Sequence, residues 1–384
     1  MIRGARALVV YFLVLTGCFF SINLSASTHL PVQSARSSRA ETEAPRADVL
    51  RFTYRAERAG SVVKLAADYF EWDSDRWVFK EIEPKLHVLE IPRPWTSALE
   101  YKLVVDGVWM RDPANPKKTS DGYGGYNSLV DDIGFTDDPW LEPLDASEPR
   151  WKTSRISIPD PEGIARTITV LHPPLAMISK AASSKTVTVY FQDGNDYLDL
   201  TGVQNLLSRL ATYHPELPLI TGVFIPPRDR MNEYGLSAKS AAYGEFLANV
   251  VVPKIEARFA TGGSSGNRML MGPSLGGLIT LETGLRYPQV FGLIASQSGS
   301  IWYKEEGILD FFKPGTGKNQ KFFMDVGIFE TDGMVSLNRK AHARAKALGW
   351  DITYREYPST HTWSAWRNRL REIFLTLLPR SENR

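Results

Sequence analysis

A serine flanked by glycines is the strongest chemical signal in this sequence. Gly272-Pro273-Ser274-Leu275-Gly276 has the pattern G-x-S-x-G, with a short apolar strand predicted at 268–271 and a helix at 277–285. A serine on a sharp turn between strand and helix holds its hydroxyl away from the backbone, and glycines beside it leave room for both elements. The pattern therefore predicts Ser274 as a nucleophile. The ordinary alternative is a serine that only caps the helix.

A serine nucleophile needs a base, and His361 is the best placed of the six histidines. It lies in the loop 358–363, between the last predicted strand (352–357) and the last predicted helix (364–378). A loop after a strand opens at the carboxyl end of a parallel sheet, where imidazole can accept the serine proton. The alternative is a loop histidine that packs against Trp363 and Trp366.

The imidazole needs an acid that holds its tautomer, and this acid should follow the preceding strand. That strand is predicted at 321–327, and the loop after it contains Glu330 and Asp332. We favour Glu330 and keep Asp332 as the alternative acid. With either residue, the order along the chain is serine, acid, histidine.

Backbone N–H groups should stabilise the oxyanion of the tetrahedral intermediate, each by about 3 kcal/mol. One is expected from Leu275, directly after the nucleophile at the start of a helix. The other is expected from Gly194 or Asn195, which follow the predicted strand 186–191. The alternative for this second loop is a plain Asp-Gly turn.

The elements that must position these groups alternate as strand and helix over the second half of the chain. This pattern predicts an α/β fold with a mostly parallel sheet and helices on both faces. Short strands rich in β-branched and aromatic residues, with no convincing helix, precede it and predict a small β-sandwich. The expected organisation is a signal at 1–26, a flexible tether at 27–48, the β-sandwich at 49–135, a linker at 136–150 and the α/β domain at 151–384.

The predicted β-sandwich resembles the immunoglobulin-like modules of the glycogen-binding and isoamylase N-terminal type. The resemblance rests on residues 100–109, 112–116 and 125–130. It implies four candidate glycan-binding positions, namely Trp72, Lys102, Trp109 and Asn127. The alternative is that the tryptophans cover the sandwich and its interface with the next domain.

The second domain resembles the esterase D and enterochelin esterase superfamily of α/β-hydrolases. The matching motifs are Asp193-Gly194, Arg230-Met231-Asn232-Glu233-Tyr234, Gly272-Pro273-Ser274-Leu275-Gly276-Gly277, Ser296-Gln297-Ser298-Gly299-Ser300-Ile301-Trp302, Gly327-Ile328-Phe329-Glu330 and His361-Thr362-Trp363. The resemblance implies a triad of Ser274, Glu330 and His361, with Arg230 and Trp302 lining the substrate pocket. Ser359-Thr360 departs from the family pattern, which commonly has glycines before the histidine.

Composition excludes some functions and indicates export. Net charge is only +2, from 45 basic and 43 acidic residues, so nothing points to a nucleic-acid partner. A basic start and an apolar run to Phe20 form a secretory signal pattern. We favour lipidation at Cys18, in which case the lipid anchor would be the membrane contact. The alternatives are cleavage after Ala26 and a retained signal anchor.

These observations predict an exported serine carboxylic-ester hydrolase that works through an acyl-enzyme, without cofactor or metal. The expected substrate is a siderophore trilactone or a polysaccharide-linked feruloyl or acetyl ester. The alternatives are a non-catalytic glycan-binding protein on a hydrolase scaffold, or an acyltransferase of the bacterial envelope.

Overall fold

The computed structural model describes residues 49–93, 98–121, 125–130, 137–174, 177, 186–259, 261 and 263–380. These residues belong to one compact unit, Ala47–Arg384. The predicted signal, Cys18, Ala26 and the tether lie outside the described residues. Within the described ranges, no helix combines the length and the apolar character that crossing a membrane requires.

Eight short strands form the first part of the structure, called here the β region (residues 49–130). They are β1 (Val49–Arg55), β2 (Val63–Ala67), β3 (Lys80–Glu83), β4 (Leu86–Pro92), β5 (Leu99–Val105), β6 (Val108–Met110), β7 (Lys118–Ser120) and β8 (Tyr126–Val130). One antiparallel sheet has the order β1-β4-β3, and the other has the order β2-β5-β8-β7 with β6 beside β5. Apolar side chains from both sheets share one core, which includes Phe52, Leu65, Ile91 and Leu103.

One eight-stranded sheet follows, and the candidate catalytic residues lie on loops after its strands. Its strands are β9 (Lys152–Pro159), β10 (Ala165–His172), β11 (Thr186–Gln192), β12 (Leu219–Ile225), β13 (Arg268–Pro273), β14 (Leu293–Gln297), β15 (Lys321–Gly327) and β16 (Asp351–Tyr357). Their order is β16-β15-β14-β13-β11-β12-β10-β9. The six strands from β16 to β12 are parallel, whereas β10 is antiparallel to both β12 and β9. The sheet is therefore mixed, and the expected parallel arrangement applies to those six strands.

Helices cover both faces of this sheet. They are α1 (Gly194–Leu200), α2 (Val203–Tyr213), α3 (Arg230–Tyr234), α4 (Ala238–Phe246), α5 (Val252–Phe259), α6 (Leu275–Arg286), α7 (Tyr303–Glu306), α8 (Asp332–Ala347), α9 (Trp363–Arg367) and α10 (Leu370–Leu377). One core contains residues of α4, α5, α6 and α8, and the other contains residues of α2 and α10. Separate cores on two faces are typical of a layered α/β architecture.

Two helical segments are interrupted in the structure. The segment 246–259 is interrupted by a π-helical turn at Leu247–Val251, after which α5 begins with Pro253 as its second residue. Proline fits there because its missing N–H has no helical partner in a first turn. The last predicted helix, 364–378, is divided into α9 and α10 at Asn368 and Arg369.

Candidate active site

Ser274 lies on a sharp turn between β13 and α6, with φ 57° and ψ −123°. A non-glycine residue in such a conformation costs on the order of 1–3 kcal/mol and is typical of functional sites. The turn also demands glycines, because a Cβ at Gly272 would lie 2.6 Å from the backbone of Gly276. The Ser274 N–H donates a hydrogen bond to the carbonyl of Gln297 (2.9 Å), which fixes the turn on β14.

The structure brings Ser274, His361 and Glu330 together in one series of hydrogen bonds. His361 Nε2 lies 2.9 Å from Ser274 Oγ, and His361 Nδ1 lies 2.7 Å from Glu330 Oε2. The imidazole also packs edge-on against Trp366 at 4.8 Å, so the packing expected as an alternative role accompanies the hydrogen bonds. A hydroxyl, an imidazole and a carboxylate in this order can deprotonate the serine for attack on a carbonyl carbon.

Strand register explains why the acid and the base meet. The last residues of the parallel strands β15 and β16, Gly327 and Tyr357, are register partners, so the loops after them start side by side. Backbone hydrogen bonds then join the loops, from Ile328 N–H to the Tyr357 carbonyl (2.8 Å) and from Phe329 N–H to the Ser359 carbonyl (3.2 Å). Two loops tied together by backbone bonds hold their side chains at a fixed separation.

Glu330 is the carboxylate at His361, and its side chain is fully buried. Its Oε1 accepts hydrogen bonds from Ser298 Oγ (2.5 Å) and from the Gly327 N–H (2.7 Å). Burial raises the pKa of Glu330. His361, the charge of Arg369 and the Ser298 hydroxyl outweigh burial and hold this pKa below its ordinary value. The alternative acid, Asp332, is exposed in the first turn of α8.

The backbone groups expected in the oxyanion hole lie at two helix starts. Leu275 is the first residue of α6 and Gly194 is the first residue of α1, whereas Asn195 follows with an exposed side chain. A Cβ built at Gly276 would lie 2.8 Å from the carboxylate of Asp193, so the two loops are in close contact. First-turn N–H groups have no partner within their own helix and can donate to an anion.

Arg230 and Trp302, the two predicted pocket residues, differ in their surroundings. Arg230 forms a bidentate pair with the buried carboxylate of Asp193, with both N–O distances 2.8 Å. Arg230 thereby fixes the loop that begins α1, and its side chain is 36% exposed. Trp302 is 45% exposed and follows Ser300, whose Oγ lies 3.4 Å from Ser274 Oγ.

Residues of the β region reach the loops that carry Glu330 and His361. Thr360 Oγ1 donates to Asp68 Oδ2 (2.7 Å), and Ser364 Oγ donates to Glu100 Oε1 (2.8 Å). The ring of Tyr69 also packs at 4.9 Å against that of Phe329, beside Glu330. Sequence analysis missed these contacts. The one sequence signal for them is the pair of hydroxyl residues at 359 and 360, where the family resemblance led us to expect glycines.

The four candidate glycan-binding residues have different environments. Asn127 is buried and donates to Glu100 Oε2 (2.9 Å), so its amide does not lie on the surface as expected. Lys102 pairs with Asp121 (2.9 Å). Trp109 is exposed on β6, and Trp72 is half-buried on a turn at φ 61°. The amide of Asn127 therefore satisfies a buried carboxylate.

Comparisons with known proteins agree with this arrangement. The family model described as "Putative esterase" matches residues 165–377, which is more than half of the chain. The iron(III) enterobactin esterase of Escherichia coli O6:H1 is 23% identical over 303 residues, which are 75% of this chain and 70% of that protein. This alignment is longer than the α/β domain alone.

Solved structures share the fold. The enterobactin esterase FES of Shigella flexneri, crystallised in the presence of enterobactin, has a TM-score of 0.72 at 17% identity and covers 87% of this chain and 94% of its own. The CE1 ferulic acid esterase of the anaerobic fungus Anaeromyces mucronatus has a TM-score of 0.52 at 14% identity. That match covers 62% of this chain and 95% of the other.

Proposed function

This chain belongs to the esterase family and is a carboxylic-ester hydrolase, and we propose that it works through an acyl-enzyme formed on Ser274. The observation that carries the proposal is the continuous hydrogen-bonded series from Ser274 Oγ through His361 to buried Glu330. In the proposed roles, Ser274 is the nucleophile, His361 is the general base and acid, and Glu330 holds the imidazole tautomer.

The proposed reaction has two half-reactions. Ser274 Oγ attacks the ester carbonyl while His361 Nε2 takes its proton, and the N–H groups of Leu275 and Gly194 receive the oxyanion. The C–O bond to the leaving alcohol then breaks, and His361 returns the proton to that alcohol. Water attacks the acyl-enzyme by the same route and releases the acid. Ionised Glu330 stabilises the imidazolium in each half-reaction because it is buried and keeps its charge.

We propose a siderophore trilactone as the substrate class, with polysaccharide-linked feruloyl or acetyl esters as the second candidate. The trilactone is favoured because the similarity to enterobactin esterases extends over the β region as well as the α/β domain. Exposed apolar side chains on the segments that carry the candidate site residues are suited to an aromatic acyl group: Met231 beside Arg230, Trp302 two residues after Ser300, and Ile328 in the acid loop.

The substrate experiment compares ferric enterobactin, feruloylated and acetylated xylo-oligosaccharides, and p-nitrophenyl acetate at matched concentrations. Ser274→Ala serves as the control for each substrate. The proposal expects the trilactone to have the highest kcat/KM and the variant to lose turnover on every ester. Turnover that survives in the variant would contradict the mechanism, whereas faster cleavage of a xylan ester would reverse the order of the substrates. Product transfer to an added sugar in preference to water would instead indicate an acyltransferase.

We propose that the β region is an immunoglobulin-like module that supports the enzyme and does not bind sugar. Lys102 is engaged by Asp121, and Asn127 by Glu100, which leaves Trp109 as the exposed aromatic among the candidates. Affinity electrophoresis on glycogen and xylan gels should show unretarded migration. Retardation that Trp109→Ala abolishes would show that the module binds glycan.

We also propose that the protein is exported and anchored at Cys18, a residue outside the described ranges. The support is the basic and apolar start of the chain, with Leu15-Thr16-Gly17-Cys18 at its end. Metabolic labelling with an alkyne fatty acid should modify the wild type and not Cys18→Ser. An unlabelled mature protein that begins after Ala26 would instead indicate ordinary signal cleavage.

A further inference from the structure

The segment Ser359–Ser364, which carries His361, has four buried hydroxyl groups. Ser359, Thr360, Thr362 and Ser364 are each at most 7% exposed, whereas the imidazole of His361 between them is 36% exposed. Most buried hydroxyls in proteins form hydrogen bonds, and the partners of these hydroxyls determine where the segment lies. Thr362 caps α9 by accepting from the Ala365 N–H, and the other three reach outside the loop.

One anchor of the loop comes from the α/β domain. Arg369 donates to Ser359 Oγ (2.5 Å) and pairs with the buried carboxylate of Asp325 (2.5 Å). The same guanidinium donates to Ser298 Oγ (3.2 Å), and Ser298 in turn donates to Glu330. The N-terminal side of the loop is thereby fixed to the residues that surround the acid.

The other anchor comes from two carboxylates of the β region. Asp68 accepts from Thr360 on its Oδ2, and its Oδ1 accepts from the N–H groups of Tyr69 (2.8 Å) and Glu100 (3.0 Å). Glu100 accepts from Ser364 on one oxygen and from Asn127 on the other. Each carboxylate is therefore fixed within the β region before it contacts the histidine loop.

Burying two neighbouring carboxylates where two parts of a protein meet carries a large desolvation free energy. Burial, followed by the charge of Glu100, raises the pKa of Asp68 well above its ordinary value. Apolar contacts would bury the same interface without this penalty. Directional bonds to Thr360 and Ser364, on either side of His361, instead fix the position of the loop between them. Placement matters because a shift of about 1 Å at a catalytic group can cost about 100-fold in rate.

We propose that Asp68 and Glu100 are positioning residues for His361, and that the β region completes the catalytic loop through their bonds to Thr360 and Ser364. The inference rests on the proposed function, in which His361 is the base. It assigns to the β region a part in turnover that does not require contact with substrate.

The test removes one hydroxyl without changing the side-chain shape. Thr360→Val keeps the volume and loses the bond to Asp68, whereas Thr360→Ser keeps the hydroxyl. We expect Thr360→Val to lower kcat for p-nitrophenyl acetate about 10- to 100-fold with KM changed less than about twofold. Thr360→Ser should remain within about threefold of the wild type. The double variant Asp68→Ala/Thr360→Val should be no slower than the slower single variant, because both remove one interaction.

Thr221→Val is the matched control, because Thr221 is buried in β12 and its hydroxyl has no hydrogen-bond partner among the described residues. We expect it to keep the wild-type kcat. Melting temperatures of all variants separate a loss of fold from a loss of positioning, and Ser364→Ala replaces Thr360→Val if the latter does not fold. A folded Thr360→Val with wild-type kcat, or an equal loss in Thr221→Val, would overturn the inference.

A second readout does not depend on turnover. The low-field proton resonance of His361 Nδ1–H, hydrogen-bonded to Glu330, should be present in the wild type and in Thr360→Ser and lost in Thr360→Val. A wild type that hydrolyses no ester would refute the proposed function alone, and this resonance would still decide the inference. An unchanged resonance in Thr360→Val would contradict the positioning role.

Discussion

Glu330→Gln is the most informative single substitution, because the geometry at Glu330 determines how the amide must orient. Oε1 of Glu330 accepts from Ser298 Oγ and the Gly327 N–H, so the glutamine carbonyl oxygen should take that place. The glutamine NH₂ then faces His361 Nδ1, which must accept. The imidazole carries its proton on Nε2 in that tautomer and cannot take the proton of Ser274.

Two effects set the size of the expected loss. The carboxylate and the developing imidazolium are in contact at 2.7 Å between their nearest atoms. At about 4 Å between charge centres and an effective dielectric constant of about 20, their attraction is about 4 kcal/mol, or about 10³-fold in rate. Partial exposure of His361 reduces this attraction, and the unfavourable tautomer adds to the loss. We therefore expect kcat to fall about 10³- to 10⁴-fold.

The assay measures kcat and KM for p-nitrophenyl acetate in the wild type, in Glu330→Gln and in the control Asp332→Asn. Asp332 is exposed at the start of α8, so its variant should retain wild-type kinetics. KM should change little in Glu330→Gln, because the substitution leaves Ser274 and the helix starts in place. A Glu330→Gln kcat within about threefold of the wild type, or a large loss in Asp332→Asn alone, would refute the assignment of the acid.

Three further predictions follow from the same contacts. Gly327→Ala should lower both kcat and the melting temperature, because its Cβ would lie 2.2 Å from the Ser359 carbonyl oxygen and force the joined loops apart; wild-type values for both would contradict the contact. Arg230→Met should leave the buried carboxylate of Asp193 unpaired and lower the free energy of unfolding by about 2–3 kcal/mol, measured by urea titration. The expected loss is smaller than for a fully buried ion pair because Arg230 is partly exposed. An unchanged urea midpoint would contradict this prediction. Ionised Glu330 should stabilise the fold above its ordinary pKa of about 4.3, and this stability should be lost as pH falls through the lower folded-state pKa. The difference in urea midpoint between wild type and Glu330→Gln should therefore become smaller below about pH 4. A difference that grows below this pH would contradict a lowered folded-state pKa for Glu330.

The parts of the fold that follow from local pattern could be predicted from the sequence. The strand 321–327 has the predicted bounds. An Asp-Gly pair between two β-rich segments is itself a hairpin signal, and Asp106-Gly107 turns between β5 and β6 with φ 49° and 85°. The antiparallel pair β9 and β10 was not predicted as such, because strand direction depends on pairing partners and not on local hydrophobicity. The break of the last helix at Asn368 also depends on distant contacts, because the Asn368 side chain donates hydrogen bonds to Asp137 and to the Ser364 carbonyl.

In the site, too, residues in local motifs could be predicted from the sequence, whereas contacts between distant segments could not. The loops after β13, β15 and β16 predict Ser274, Glu330 and His361 from local sequence. Neither Asp68 nor Glu100 could be placed at the domain boundary, because their partners lie far away along the chain: Thr360 is 292 residues from Asp68, and Ser364 is 264 residues from Glu100. Buried polar networks that join distant segments leave no periodic pattern in a sequence.

The measurement that tests the central claim most directly is the identification of the covalent adduct. The wild type is treated with a fluorophosphonate that carries an aryl group, and peptides are analysed by mass spectrometry. The account predicts one adduct, on Ser274, that forms at a rate strongly reduced in His361→Ala. Ester hydrolysis that continues with Ser274 unmodified, or an adduct on another residue that stops turnover, would contradict it.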